Sequence, residues 1–158
     1  MIPIFVPIIS SLIVITGELT INYPEYQESI EKVVCESWSD CRAMTEAIVF
    51  ESRGEPVEGQ KAVSDVILCR YMDTRWPDTV TGVIYQKSQF SFTKDRHKQR
   101  APRESDFSNA RHIAITKLLG FDSPTIDACW YHATHVKPSW AKKLTMVAQI
   151  GNHKFYKD

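Results

Sequence analysis

Glu51 is the side chain in this sequence best placed to act as a proton donor. Ala43, Met44, Ala47, Ile48 and Phe50 just upstream have the spacing of the inner face of an amphipathic helix. Gly54 and Pro56 are expected to end that helix, glycine by accepting a left-handed turn and proline by keeping its predecessor out of the α region. Glu51 therefore belongs to the last helical turn. A carboxyl that is half-buried there and faces the negative end of the helix dipole favours the protonated form that a general acid requires. The competing reading is an ordinary surface carboxylate paired with Arg53.

Other chemistries find little support. His132 and His135 stand three apart in Y-H-A-T-H, and His97, His112 and His153 are scattered, without H-E-x-x-H or a carboxylate at ligand spacing. No C-x-x-C pair, G-x-S-x-G elbow, Cys–His nucleophile context or phosphate-binding glycine loop occurs, so neither a metal nor an organic cofactor is expected. What remains is a carboxylate with aromatic and amide residues: Gln89-Phe90-Ser91-Phe92 and Trp130-Tyr131-His132. Cleavage of a polysaccharide uses such a set, an acid for the glycosidic oxygen with flat apolar faces and amides for the sugar rings. Taken singly, each aromatic is equally explained by core packing.

The elements that must position these residues can be read from periodicity. After Pro56, which suits a first helical position with Glu55 as cap, Ala62, Val63, Val66, Ile67 and Arg70 fall on one helical stripe. Asp78 is expected to cap a short helix running from Thr79 to Tyr85. Gln89 to Phe92 alternates like extended chain. A further helix begins near Ser105, turns Phe107, Ala110, Ile113, Ala114 and Leu118 inward and ends at Gly120. Ala128 to His132 looks extended, and Leu144 to Phe155 reads as a hairpin around Gly151-Asn152. Helices first and short antiparallel strands later define a small α+β fold.

The chain has 158 residues, with 19 basic and 19 acidic side chains. That length supports a core of its own, and the zero net charge gives no global field for nucleic acid, so no nucleic-acid partner is expected. The local basic run Lys94 to Arg103 reads as a solvated loop, or secondarily as an attachment face for an anionic polymer or membrane surface. Met1 to Gly17 carries no charged side chain, and Ile, Val, Leu and Phe dominate it. It is short for a membrane span, contains Pro3 and Pro7, and lacks the basic start of a signal peptide. An export signal or membrane-associated segment is favoured over a buried N-terminal segment, with transient membrane association through residues 1–17 and an exported enzyme in the periplasm or cell wall. Residues 18–38 suit a linker or a short helix, leaving 39–158 as the folded domain. Cys35, Cys41, Cys69 and Cys129 would pair locally (Cys35 with Cys41) and at long range (Cys69 with Cys129) outside the cytosol, or stay as buried thiols.

Four ordered blocks then resemble one family. They are A-I-V-F-E-S-R-G-E-P-V-E-G-Q-K-A-V-S-D-V-I-L-C-R from Ala47 to Arg70, R-W-P-D-T-V-T-G-V-I-Y-Q-K-S-Q-F-S-F from Arg75 to Phe92, A-C-W-Y-H-A-T-H-V-K-P-S-W-A from Ala128 to Ala141, and I-G-N-H-K-F-Y-K from Ile150 to Lys157. They are similar to the SleB-type cell-wall hydrolases, the catalytic domain of spore-cortex-lytic enzymes that also occurs in phage endolysins. The resemblance implies a lysozyme-like domain acting as a monomer on peptidoglycan glycan strands, between N-acetylmuramic acid and N-acetylglucosamine. It places the catalytic glutamate at Glu51, gives Glu55 a supporting role, and sets Gln89, Phe90, Ser91, Tyr131 and His132 near the groove. It favours lytic transglycosylation over a hydrolysing muramidase or a non-catalytic binding module. Cys69 stands where the family usually has Asn, and Cys129 where it is usually polar, which hints at a Cys69–Cys129 bridge beside the site.

Overall fold

The computed structural model describes residues 24–95 and 100–158. The apolar segment 1–17, with its export and membrane expectation, and residues 96–99 of the basic run lie outside the described residues. Among those described, no helix is long and apolar enough to cross a membrane.

Among the described residues six α-helices precede three strands: α1 (Pro24–Ser37), α2 (Ser39–Ser52), α3 (Val57–Tyr71), α4 (Val80–Tyr85), α5 (Phe92–Asp95), α6 (Glu104–Leu118), then β1 (Trp130–Ala133), β2 (Thr145–Ile150) and β3 (His153–Lys157). Residues 24–37, read as linker or short helix, thus form a full helix. It packs on α6, and a Cys35–Cys41 disulfide (Cα–Cα 5.0 Å) ties it to α2. Helix α2 is the hub, touching α1, α3, α4 and α6. Its Cys41, Ala43, Met44, Ala47, Ile48 and Val49 are buried together with Ala62, Val63, Val66 and Ile67 of α3 and Ala110, Ile113 and Ala114 of α6. Burying each of the isoleucines contributes about 1.5–3 kcal/mol. One buried ion pair crosses this core: Lys117 Nζ lies 2.7 Å from Asp65, whose Oδ2 also accepts the Thr125 and Ile126 amides. It fastens the loop after α6 to α3.

Several local expectations are corrected. Thr79 rather than Asp78 caps α4, its Oγ1 accepting the Gly82 amide at 3.0 Å. Pro56 precedes α3 instead of opening it, and Glu55 offers α3 no side-chain cap because its carboxylate is engaged elsewhere. Gly54 does not use the left-handed region. Arg53 is still right-handed α, and Pro56, with ψ of 156°, turns the chain. The Gln89–Phe92 segment is a turn leading into α5, and both Phe90 and Phe92 enter the core from it. Alternation of apolar residues also fits a turn that lies over a core, so spacing alone could not separate the two.

The strands form one antiparallel sheet in the order β1-β3-β2. Tyr131 faces Phe155 across β1–β3, and Ile150 faces His153 across β3–β2. The β2–β3 turn is Gly151-Asn152, with Gly151 at φ +54°. A Cβ there would collide with the Glu55 carboxylate, so the position needs glycine for two independent reasons.

Candidate active site

Glu51 sits in the last turn of α2 with the core at its back, because Ile48 and Ala47 one turn earlier are fully buried. Its side chain is half-buried and does not pair with Arg53, whose guanidinium donates to the Arg100 carbonyl at 2.6 Å and lies over the Phe50 ring. Three donors reach the Glu51 carboxylate instead. Ser91 Oγ (3.1 Å) and the Phe92 amide (3.4 Å) donate to Oε1, and the Tyr131 hydroxyl (3.2 Å) donates to Oε2. The first two come from the turn before α5, which reverses at Ser88 with φ of 68°. The third comes from β1.

Tyr131 has its own support. Its ring stacks on Phe155 (5.9 Å between centroids), lies against Phe90 and meets the edge of His153 at 5.2 Å. Burial, with the Glu51 charge beside it, pushes the phenol well above its ordinary range. It therefore stays a neutral donor. Arg70 stands behind, 5 % exposed, giving Nε to the Cys129 carbonyl (2.8 Å) and a second nitrogen to Gln89 Oε1 (3.4 Å), with its guanidinium carbon 5.7 Å from the Phe90 ring centroid. Burial lowers its pKa. Cys69 and Cys129 are bonded, with Cα atoms 5.3 Å apart, which pins the residue before β1 to the end of α3.

Not all the expected residues meet. Gln89 stays exposed and contacts Arg70. Phe90 is 1 % exposed, so it supports Arg70 and Tyr131 from below and offers no face to a ligand. His132 points to the opposite side of the sheet from Tyr131, because neighbouring strand residues alternate faces; its Nε2 lies 2.9 Å from the Tyr156 hydroxyl. Glu55 accepts the Asn152 amide (2.8 Å) and side chain (3.2 Å), so both its oxygens hold the β2–β3 turn. Arg70, Asn152 and His153 escaped the sequence reading as site residues. Arg70 had left a signal, a charged residue on an otherwise buried stripe.

Two expectations can be measured here. Tyr131→Phe removes one hydrogen bond to the Glu51 carboxylate, about 1.5–3 kcal/mol, and is expected to lower kcat roughly ten- to a hundredfold together with a fall of several degrees in thermal midpoint. An unaltered kcat would detach Tyr131 from the site. His153 is 7 % exposed with Nδ1 unpaired, and burial lowers its pKa from 6.5 despite Glu55 and Glu51 nearby. Its folded state resists protonation, so the unfolded chain binds the extra proton and stability falls as pH drops below about 6.5. Thermal melts from neutral to acid pH should record that loss, and His153→Gln should flatten it.

Among the described residues no cluster of three His, Cys, Asp or Glu side chains is arranged to hold a metal ion. The arrangement amounts to one carboxylate held by donors from two distant segments. Residues 54–156 match the cell wall hydrolase family, and the chain belongs to that family. Glu51 lies just before the matched stretch. The chain is 35% identical over 122 residues to the spore cortex-lytic enzyme of Oceanobacillus iheyensis, and 34% over 122 residues to that of Bacillus cereus. These alignments use 77% of this chain but only 42% and 45% of the relatives, so the chain spans less than half their length. Its structure is similar to the catalytic domain of the Bacillus cereus SleB protein, with TM-score 0.63 and 33% identity over 75% of this chain and 90% of that one. The catalytic domain of the germination-specific lytic transglycosylase SleB from Bacillus anthracis matches equally, at TM-score 0.63 and 33% identity, covering 94% of that chain.

Proposed function

We infer that the protein is an exported, monomeric enzyme that cleaves peptidoglycan glycan strands between N-acetylmuramic acid and N-acetylglucosamine by lytic transglycosylation, with Glu51 as its single catalytic residue. The observation that carries this reading is the setting of Glu51, one carboxylate with three donors converging on it, while the neighbouring Glu55 is spent on Asn152. Glu51 in its protonated form gives its proton to the glycosidic oxygen as the C1–O bond breaks. The Ser91 hydroxyl, the Phe92 amide and the Tyr131 phenol receive the charge left on it. The carboxylate then takes the proton of the muramic C6 hydroxyl, whose oxygen closes on C1 to give an anhydro sugar. No water is consumed and Glu51 returns to its starting form. A hydrolysing muramidase would need a second carboxylate to hold water or attack C1, and Glu55 is not free for that.

Mass spectrometry of the muropeptides released from purified sacculi tests the choice. Anhydro-muramic ends are expected. Reducing ends would assign hydrolysis instead, and binding without clearing of the suspension would reduce the protein to a peptidoglycan-binding module.

A further inference from the structure

The face of the sheet turned away from Glu51 carries a second set of rings that the reaction does not use. The strand pairing puts Trp130 and His132 of β1, Lys154 and Tyr156 of β3, and Met146 and Gln149 of β2 on that face. His132 stacks on Tyr156 (5.2 Å). Trp140, from the short 3-10 turn Ser139–Lys143, meets both edge-on at 5.6 Å. At the other end Trp130 packs on Trp76, and Arg75 lies over both rings. Trp130 and Trp140 stay half-buried, and Met146 is 52 % exposed.

Charge separates this lobe from the rest of the molecule. Residues 128–157 hold five lysines and no acidic residue, although the whole chain has 19 of each sign. Arg75 and Lys157 are neutralised by Asp73, Asp158 and Asp127. Among the described residues, Lys137, Lys142, Lys143 and Lys154 have no carboxylate partner. Two of them, Lys142 and Lys143, share the 3-10 turn with Trp140, one residue further on.

We propose that this aromatic and lysine-bearing sheet face is a second binding surface for peptidoglycan, separate from the cleavage site, which holds a neighbouring strand by its sugar faces and its peptide carboxylates. Only the choice of polymer rests on the proposed function. Flat rings suit sugar faces, and unpaired lysines suit a polymer whose stem peptides carry free carboxylates. A surface of this kind keeps the enzyme on the insoluble wall between cuts, so its loss affects sacculi and spares soluble fragments.

The test uses the full chain and Gram-negative sacculi, which lack teichoic acid. Retention on sacculi is measured by pelleting in a Glu51→Gln background across a salt series, and turnover is measured with Glu51 intact. Lys142→Glu with Lys143→Glu is expected to cut retention at low salt about tenfold. Trp140→Ala should weaken it at every salt concentration, and turnover of soluble glycan fragments should stay unchanged. Sacculi stripped of stem peptides by an amidase should retain the parent and the lysine variant equally. Undiminished retention in both variants overturns the proposal, as does a parallel fall on soluble and insoluble substrates. If the protein cleaves neither substrate, the proposed function fails while retention still decides the surface.

Discussion

Glu51→Gln should abolish lysis of sacculi, lowering kcat about a thousandfold or more, while circular dichroism and thermal midpoint stay those of the parent. Glutamine keeps the volume and one acceptor oxygen for Ser91 and Phe92 or for Tyr131, so the turn before α5 and the start of β1 keep most of their tether. What is lost is the proton. Glu55→Gln is the informative contrast, because that side chain braces Asn152. It should cost about 1–2 kcal/mol of stability and leave turnover readily measurable. Near-parental lysis by Glu51→Gln would end the assignment, and a dead, fully stable Glu55→Gln would transfer the role to Glu55.

The second large effect is expected from the cysteines. Cys69 and Cys129 are separated by 60 residues, and chain entropy alone assigns such a loop about 4 kcal/mol, against about 2 kcal/mol for the six-residue separation of Cys35 and Cys41. Replacing Cys69 and Cys129 by Ser should therefore lower the thermal midpoint by roughly 10 °C or more, and replacing the other pair by clearly less. Activity should follow the same order. Cys129 offers its carbonyl to Arg70 and stands two residues before Tyr131, whereas Cys35 and Cys41 lie where α1 meets α2. Melts and turnover with and without reductant check this, and an equal effect of the two pairs would contradict it.

Where hydrophobic period and burial coincide, the sequence could be read directly. The α2, α3 and α6 stripes and the Gly151-Asn152 hairpin follow from side-chain period and turn chemistry, and all four occur in the structure. Long-range polar partners were opaque. Nothing local announces that Glu55 will reach Asn152 instead of capping α3, or that Tyr131 and not His132 will be the one turned to Glu51. The first depends on how the hairpin docks, the second on which face of β1 meets the core. Ser91 and Tyr131 stood out only as members of aromatic and amide segments suited to sugars, and the family resemblance then set them near Glu51.

The contacts of Glu51 span 40, 41 and 80 positions of chain. A nascent polypeptide that has made α2 already has its acid, yet the two hands that grip that acid belong to later stretches, the last of them strand β1. Assembly of the site thus waits until the strand-forming segment has followed the helices. The acid is made before its setting, and that setting arrives with the closing sheet.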